Sequence, residues 1–233
     1  MRIYFIILFF GMVQLSNAQD VTAFFSKTNS FLKENIAIGK VDYQAIKKDP
    51  ALLNEILENA SKIDLTIENA ATTKAFWINA YNLSMIKAIV AKYPVKTPTD
   101  IAGVFDKNTQ LLAGKKITLN DIENKMLRAK YNDARIHFVL VCGALGCPPI
   151  INVAYLPTTL DEQLDKQAKL ALNNPNFIKV DGKKVQLSQI FEWYKEDFKN
   201  KEIEYINTFR TSKIDAKAKF TYYTYDWTLN KSK

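Results

Sequence analysis

The first part of the chain has the hydrophobic spacing of helices. Apolar residues recur every three or four positions over 20–38, which predicts an amphipathic helix that ends at Gly39. A second apolar stripe follows Asp49 and Pro50, a helix cap and a first-turn proline. A third helix is predicted over 66–92, and its middle is apolar nearly all round, as in a helix that is buried on every side.

The later part of the chain has shorter apolar runs, separated by turn residues. Hairpins are predicted over 110–118 and 177–187, and a last strand over 220–227. The run IHFVLVC at 136–142 is continuous and rich in β-branched residues, which predicts a central strand covered on both faces. Further helices are predicted over 120–131, over 159–172 and from Ser188 onward. Helices first and short strands later predict a single α+β domain, with N-terminal helices packed on a small, mainly antiparallel sheet.

Residues 1–18 have the pattern of a cleavable secretory signal. Met1 and Arg2 give a positive start, an apolar run follows over 3–13, and small residues stand at 16–18, where a signal peptidase cleaves. An apolar run of about eleven residues is short against the roughly twenty that a membrane-spanning helix needs. We therefore expect an exported protein, periplasmic or secreted, with one domain over 19–233 and no transmembrane anchor after cleavage.

The numbers and types of charged residues indicate which classes of partner to expect. The chain has 32 Lys and Arg residues against 24 Asp and Glu residues, a net charge of +8, and only four of the basic residues are Arg. Phosphate recognition favours the forked guanidinium group of Arg, and the basic residues here are scattered among acidic ones. A nucleic-acid partner is therefore not expected, and the composition predicts the lysine-coated surface of a soluble domain.

Two asparagines stand on the helix that is predicted to be buried. Asn79 and Asn82 lie three residues apart in the sequence FWINAYN at 76–82. A buried amide without a partner costs about 1–3 kcal/mol, so each must form hydrogen bonds. In one interpretation they hold the backbone of a neighbouring loop, and in the other they line a cleft and orient a substrate or a catalytic group.

The sequence HFVLVCGALGCPP at 137–149 holds the one histidine and both cysteines of the chain. Three kinds of chemistry are open to it: a thiolate nucleophile with a histidine base, a disulfide between Cys142 and Cys147, and a Cys-Cys-His metal site. The metal site lacks the paired-ligand spacing that is usual for zinc. On a strand, His137 and Cys142 would point to opposite faces, so their pairing requires the strand to end or bulge before Cys142.

Two carboxylates are also of interest, and the first of them, Glu123, has two interpretations. Glu123 follows Asn120 by three residues, the spacing of a capping box at the start of a helix. A carboxylate beside a loop-built cleft can instead orient a histidine, as the third member of a nucleophile constellation does. Asp226 is expected to be a structural hydrogen-bond acceptor.

Six motifs, taken together and in this order, resemble those of the DUF547 family. They are VDY at 41–43, FWINAYN at 76–82, LNDIE at 119–123 with LR at 127–128, HFVLVCGALGCPP at 137–149, FEWY at 191–194 with DF at 197–198, and YDWTLN at 225–230. The resemblance implies an exported bacterial protein of unknown function, and it carries over no activity, cofactor or catalytic residue. Plant members of the family keep the first cysteine more often than the second cysteine or the histidine, which favours Cys142 as a nucleophile.

The scarce reactive residues coincide with these motifs, so the leading hypothesis is a thiol-dependent hydrolase or acyl transferase that acts on a peptide or amide in the cell envelope. In this hypothesis Cys142 is the nucleophile, His137 the base and Glu123 the third member. The residues predicted to bind the substrate are Asn79, Asn82, Arg128 and Cys147. No cofactor and no metal are expected. The alternative is a non-catalytic binding or structural module of the envelope, in which a Cys142–Cys147 disulfide pins the loop.

Overall fold

The computed structural model describes residues 20–232, so the predicted signal segment lies outside the described residues. Within 20–232, no helix combines the length and the apolar character needed to cross a bilayer. In chain order the first elements are α1 (20–35), β1 (Ile36–Ala37), β2 (Lys40–Val41), α2 (Tyr43–Lys48), α3 (Ala51–Lys62), α4 (Ala70–Lys92), β3 (Thr109–Leu112) and β4 (Lys115–Thr118). They are followed by α5 (119–131), α6 (Leu160–Asn173), β5 (Ile178–Asp181), β6 (Lys184–Ser188), α7 (Gln189–Trp193), α8 (Glu202–Phe209) and β7 (Phe220–Tyr223).

Helix α4 forms the centre of the fold and confirms the prediction of a buried helix. Its side chains are buried around the whole circumference, because α2 and α3 pack against it and α5 covers a further side. Asn69 caps its first turn by accepting a hydrogen bond from the backbone N–H of Thr72. The buried apolar side chains, from Val21 to Leu229, form one continuous core, so the described chain is a single α+β domain.

The strands form three small sheets rather than one. The pairs β1–β2 and β3–β4 are antiparallel hairpins, while β5, β6 and β7 form a three-stranded sheet in that order. In this sheet β5 and β6 are antiparallel, but β6 and β7 are parallel, with Val185 opposite Phe220. Parallel strands end at the same edge of a sheet, so α7, which follows β6, lies beside the segment that follows β7.

The predicted central strand over 136–142 is wrong. Ala134–Phe138 form a 3₁₀ helix instead, opened by the Asp133 side chain, which accepts a hydrogen bond from the backbone N–H of Arg135. Residues 139–142 have no regular secondary structure. A continuous apolar run indicates burial on all sides, and by itself it does not distinguish a buried strand from another buried conformation.

Helix α5 is capped differently from the prediction. Thr118 accepts a hydrogen bond from the backbone N–H of Asp121, so the helix begins at Leu119 and Asn120 lies inside its first turn. The predicted capping box of Asn120 and Glu123 is therefore wrong. The predicted end near residue 131 is confirmed, and the middle of the helix, Ile122–Arg128, is a π-helix.

Asn82 attaches the irregular segment after the 3₁₀ helix to α4. Its Nδ2 donates to the carbonyl of Val139 at 2.9 Å, and its Oδ1 accepts from the backbone N–H of Val141 at 2.9 Å. Asn79 binds Tyr155 in the same way, with distances of 2.8 Å to the carbonyl and 3.1 Å to the N–H. Each carboxamide thus supplies the hydrogen bonds that a neighbouring strand would give to a buried backbone.

We expect Asn82→Ala to lower the free energy of unfolding by roughly 2–6 kcal/mol. The change leaves one buried carbonyl and one buried N–H without partners, at about 1–3 kcal/mol each. Urea unfolding measures the effect. Asn54→Ala, at an exposed position of α3, is the control and should change the free energy by no more than about 0.5 kcal/mol. A similarly small loss for Asn82→Ala would contradict the attachment.

Candidate functional site

A cavity of about 240 Å³ brings four of the sequence-predicted residues together: Glu123, His137, Cys142 and Cys147. They come from α5, from the 3₁₀ helix and from the loop that follows it. The other lining residues are the aromatic Tyr81, Phe105, Trp193, Tyr194, Tyr225 and Trp227, the aliphatic Leu140 and Ile190, and Asn120.

The remaining three predicted residues have structural partners and lie outside the cavity lining. The carboxamide group of Asn79 forms hydrogen bonds with the backbone of Tyr155, and that of Asn82 forms hydrogen bonds with the backbone of residues 139 and 141. This arrangement corresponds to the interpretation in which they hold neighbouring loops. Arg128 binds Asp197, as described below.

The two thiols lie against one hydroxyl group. The Tyr225 hydroxyl oxygen is 3.0 Å from Cys142 Sγ and 2.9 Å from Cys147 Sγ. The backbone N–H of Cys142 donates to Cys147 Sγ at 3.0 Å. Both cysteines are free thiols, so the disulfide of the alternative hypothesis is not formed in the structure.

These donors favour the thiolate form of Cys147 over that of Cys142. Burial alone would raise the pKa of Cys147, but hydrogen bonds from Cys142 and Tyr225 outweigh it and bring the pKa below its ordinary value. The pKa of Cys142 is raised well above its ordinary value by its hydrogen bond to Cys147 and by burial. The hydrogen bonding therefore favours ionisation of Cys147, whereas the sequence favours Cys142 as the nucleophile.

The loop that carries the thiols is held in place by the segment after β7. The backbone N–H of Leu145 donates to the carbonyl of Thr228, and that of Gly146 donates to the carbonyl of Asp226, both at 2.8 Å. The Asp226 carboxylate accepts from the backbone N–H of Thr228 at 2.9 Å, which confirms its predicted role as a structural acceptor. Backbone hydrogen bonds thus hold this loop in place, which is the role that the alternative hypothesis gave to a disulfide.

Gly146 leaves the space that the Tyr225 ring occupies. A Cβ atom at position 146 would lie 2.8 Å from two carbons of this ring, closer than real contacts allow. Any larger residue there would displace the ring and, with it, the hydroxyl that both thiols share.

Asp197, which sequence reasoning missed, orients His137. Its Oδ2 lies 2.7 Å from Nε2 of the histidine, whose ring stacks on Tyr194 with 4.0 Å between the ring centres. Arg128 clamps the same carboxylate through Nε at 2.6 Å and Nη2 at 2.9 Å. The role of Arg128 in this geometry is to fix Asp197, and through it the imidazole.

The charge on Asp197 decides which nitrogen of His137 is basic. Burial alone would raise the pKa of Asp197, but the hydrogen bonds from His137 and Arg128 outweigh it and hold the pKa well below its usual range. An ionised carboxylate only accepts hydrogen bonds, so Nε2 carries the proton and Nδ1 is the basic nitrogen of the neutral ring. A carboxylate that orients an imidazole in this way is one part of a nucleophile constellation.

The carboxylate that contacts the His137 ring belongs to Asp197 rather than to Glu123. Glu123 instead accepts a hydrogen bond from the hydroxyl of Tyr194, whose pKa is raised by burial and by this carboxylate. The π-helix has hydrogen bonds between residues five apart, and Glu123 and Arg128 have this spacing. It therefore turns Glu123 to the cavity and Arg128 to Asp197 from one side of the helix.

The residues that sequence reasoning missed come mainly from two motifs that the sequence does contain. Tyr194 and Asp197 belong to the segment 191–198, and Tyr225 and Trp227 belong to the segment 225–230. Aromatic residues that recur along a predicted helix or strand are typical of core positions, so Tyr194, Tyr225 and Trp227 gave no separate functional signal. Among residues 20–232, no group of three or more His, Cys, Asp and Glu side chains is arranged to hold a metal ion.

Comparison with known proteins finds one family model that matches the middle of the chain. Residues 66–172 match the family model described as "Protein of unknown function, DUF547". The matched region includes Glu123, His137 and both cysteines, whereas Asp197 and Tyr225 lie beyond it. No curated protein and no solved structure matches the chain.

Tyr225→Phe should raise the pKa of the Cys147 thiol, because the thiolate loses a hydrogen-bond donor. A hydrogen bond to a charged group contributes about 1.5–3 kcal/mol, so the pH midpoint of alkylation should move up by about one to two units. The measurement is the rate of iodoacetamide alkylation of Cys147 against pH. Tyr222→Phe removes a hydroxyl that donates to Glu202 and is the matched control, with no expected shift. An unchanged midpoint in Tyr225→Phe would show that the hydroxyl does not stabilise the thiolate.

Asp197→Asn should change how stability depends on pH. Because the pKa of Asp197 is lower in the folded than in the unfolded chain, its ionised form contributes stability above about pH 4 and loses it as the pH falls through the folded-state pKa. The variant has no such group, so its deficit in unfolding free energy should be widest near neutral pH and should narrow below about pH 4. Urea unfolding at several pH values measures both chains. A deficit that stays constant down to about pH 2 would be inconsistent with the ion pairs.

Proposed function

We propose that this protein is a thiol-dependent hydrolase or acyl transferase that acts on a peptide or another amide, with Cys147 as its nucleophile. The observation that carries the proposal is a sulfur that accepts hydrogen bonds from the Cys142 N–H and the Tyr225 hydroxyl, in a cavity that His137 also lines. These donors favour the thiolate form of Cys147, which is the nucleophilic form of a cysteine.

Acylation would begin with attack of the Cys147 thiolate on the carbonyl carbon of the amide. As the tetrahedral intermediate collapses, the carbon–nitrogen bond breaks and the sulfur keeps the acyl group as a thioester. The leaving amine takes a proton from the imidazolium form of His137. Asp197 orients the ring for this transfer, because its Oδ2 lies 2.7 Å from Nε2.

Deacylation would use the same imidazole in its neutral form. Nδ1 of His137 removes a proton from water, or from an amine in the transferase case, as this molecule attacks the thioester carbonyl. The carbon–sulfur bond then breaks, which releases the acyl product and restores the thiolate. Cys142 keeps its proton throughout and serves as a donor to Cys147, consistent with its raised pKa.

The test is to trap the thioester with p-nitrophenyl acetate, a reactive ester that serves as a general acyl donor. After a short exposure we expect one acetyl group on Cys147 of the folded chain, located by mass spectrometry of the intact protein and its peptides. Cys147→Ser should abolish this thioester. Cys142→Ser is the matched control, and it should still form the thioester at Cys147, although more slowly.

His137→Gln tests the second half of the reaction. Without a basic nitrogen the acetyl group should persist on Cys147, with deacylation slowed by about a hundredfold or more, the usual contribution of a general base. The proposal fails if folded Cys147 acylates no faster than it does in the urea-unfolded chain, or if His137→Gln loses the acetyl group as quickly as the wild type.

A further inference from the structure

The lining of the cavity differs in charge from the rest of the molecule. The chain carries a net charge of +8 and contains 32 Lys and Arg residues. Yet no Lys or Arg is among the residues that line the cavity in the described part of the chain, and the one carboxylate there belongs to Glu123. The lining of this cavity in a lysine-rich protein thus contains neither lysine nor arginine.

The neighbouring ion pair does not compensate Glu123. Arg128 lies close enough to interact with it, but the guanidinium group is held by both oxygens of Asp197. This pair is electrically neutral as a unit. A thiolate at Cys147 with an imidazolium at His137 also sums to zero, so the carboxylate of Glu123 leaves the site with one net negative charge.

Three of the aromatic residues that line the cavity pack against one another. Trp193 and Trp227 are stacked with 6.0 Å between their ring centres, and Tyr225 lies 5.0 Å from the first and 4.8 Å from the second. Trp193 is 45% exposed, which is unusual for a side chain of this size in a well-packed domain. Aromatic faces attract cations, and they do so more strongly where water is excluded.

We propose that this cavity binds the positively charged side chain of a peptide substrate. The aromatic rings of Trp193 and Trp227 would contact the cation on one side, and the carboxylate of Glu123 would contact it on the other. The inference rests on the proposed function and names its substrate class: peptides with a Lys-like or Arg-like residue beside the bond that Cys147 attacks. A volume of about 240 Å³ corresponds to roughly eight water molecules of the liquid, which is enough for one long side chain.

The experiment compares three thiol reagents that share one reactive group and differ in charge. They are trimethylammonioethyl methanethiosulfonate, its neutral carbon isostere neohexyl methanethiosulfonate, and the anionic sulfonatoethyl methanethiosulfonate. In each case the Cys147 thiolate attacks the reagent's sulfenyl sulfur, a mixed disulfide forms and methanesulfinate leaves. The measured quantity is the ratio of the cationic to the neutral rate at Cys147, divided by the same ratio in the urea-unfolded chain.

For the wild type we expect this normalised ratio to be about ten or more, and the anionic reagent to be the slowest despite the positive net charge of the protein. Glu123→Gln and Trp193→Leu should each lower the ratio at least about threefold. Glu192→Gln is the matched control, because it removes the same charge from an exposed position next to Trp193 and outside the cavity lining, and it should leave the ratio unchanged. The neutral reagent and a circular dichroism spectrum identify a variant that has lost its fold.

A normalised ratio near one in the wild type would overturn the inference, and so would equal effects of Glu123→Gln and Glu192→Gln, which would indicate only a long-range field. Neither outcome touches the acetyl-thioester test. Conversely, a strong preference for the cationic reagent without a thioester at Cys147 would support the cation site and contradict the proposed acyl-transfer chemistry. The two proposals therefore fail separately.

Discussion

The hydrogen bonds between Asn82 and the backbone of Val139 and Val141 fix an irregular segment to the buried helix α4. A buried backbone must have partners for its peptide groups, and here a side chain provides them where a sheet would otherwise do so. In the absence of a strand, side chains along this segment do not alternate between two faces. His137 and Cys142 can therefore line one cavity, which strand geometry would have prevented.

Much of the fold could be predicted from the sequence because its signals are local. The buried helix α4, the hairpins around Gly114 and Gly182 and the cap of α7 at Ser188 all follow from spacing, turn residues and capping residues. The failures have a common cause, since the deciding contacts are not local. The run 136–142 is apolar because α4 and α6 bury it, and the same run would suit a strand. Thr118 and Asn120 are both good capping residues, and the helix begins directly after β4, with Thr118 as its cap.

The site was predictable in its reactive groups and not in the groups that tune them. Histidine, two cysteines and Glu123 stood out through scarcity or position, and they do meet in one cavity. Asp197 orients the imidazole and Tyr225 stabilises the Cys147 thiolate, and they are 60 and 78 residues distant from these partners in sequence. From the sequence, an asparagine on a buried helix is equally suited to binding a substrate and to binding a neighbouring backbone. The positions of the loop carbonyls in the structure distinguish these two roles. The more acidic thiol is determined by the hydrogen bonds that Cys147 accepts from Cys142, and the spacing of the two cysteines in the sequence does not reveal their direction.

The distance between Tyr225 and the thiols along the chain has a consequence for biosynthesis. A ribosome adds Cys142 and Cys147 long before Tyr225, which follows them by 83 and 78 residues. The hydroxyl reaches the sulfurs only after β7 has joined β6 and the following segment has docked on the loop. We expect the cysteines of a nascent chain to be ordinary, largely protonated thiols, which react slowly with oxidants and other thiols. Reactivity would then arise as a property of the finished molecule, and an incomplete chain would be protected from its own chemistry.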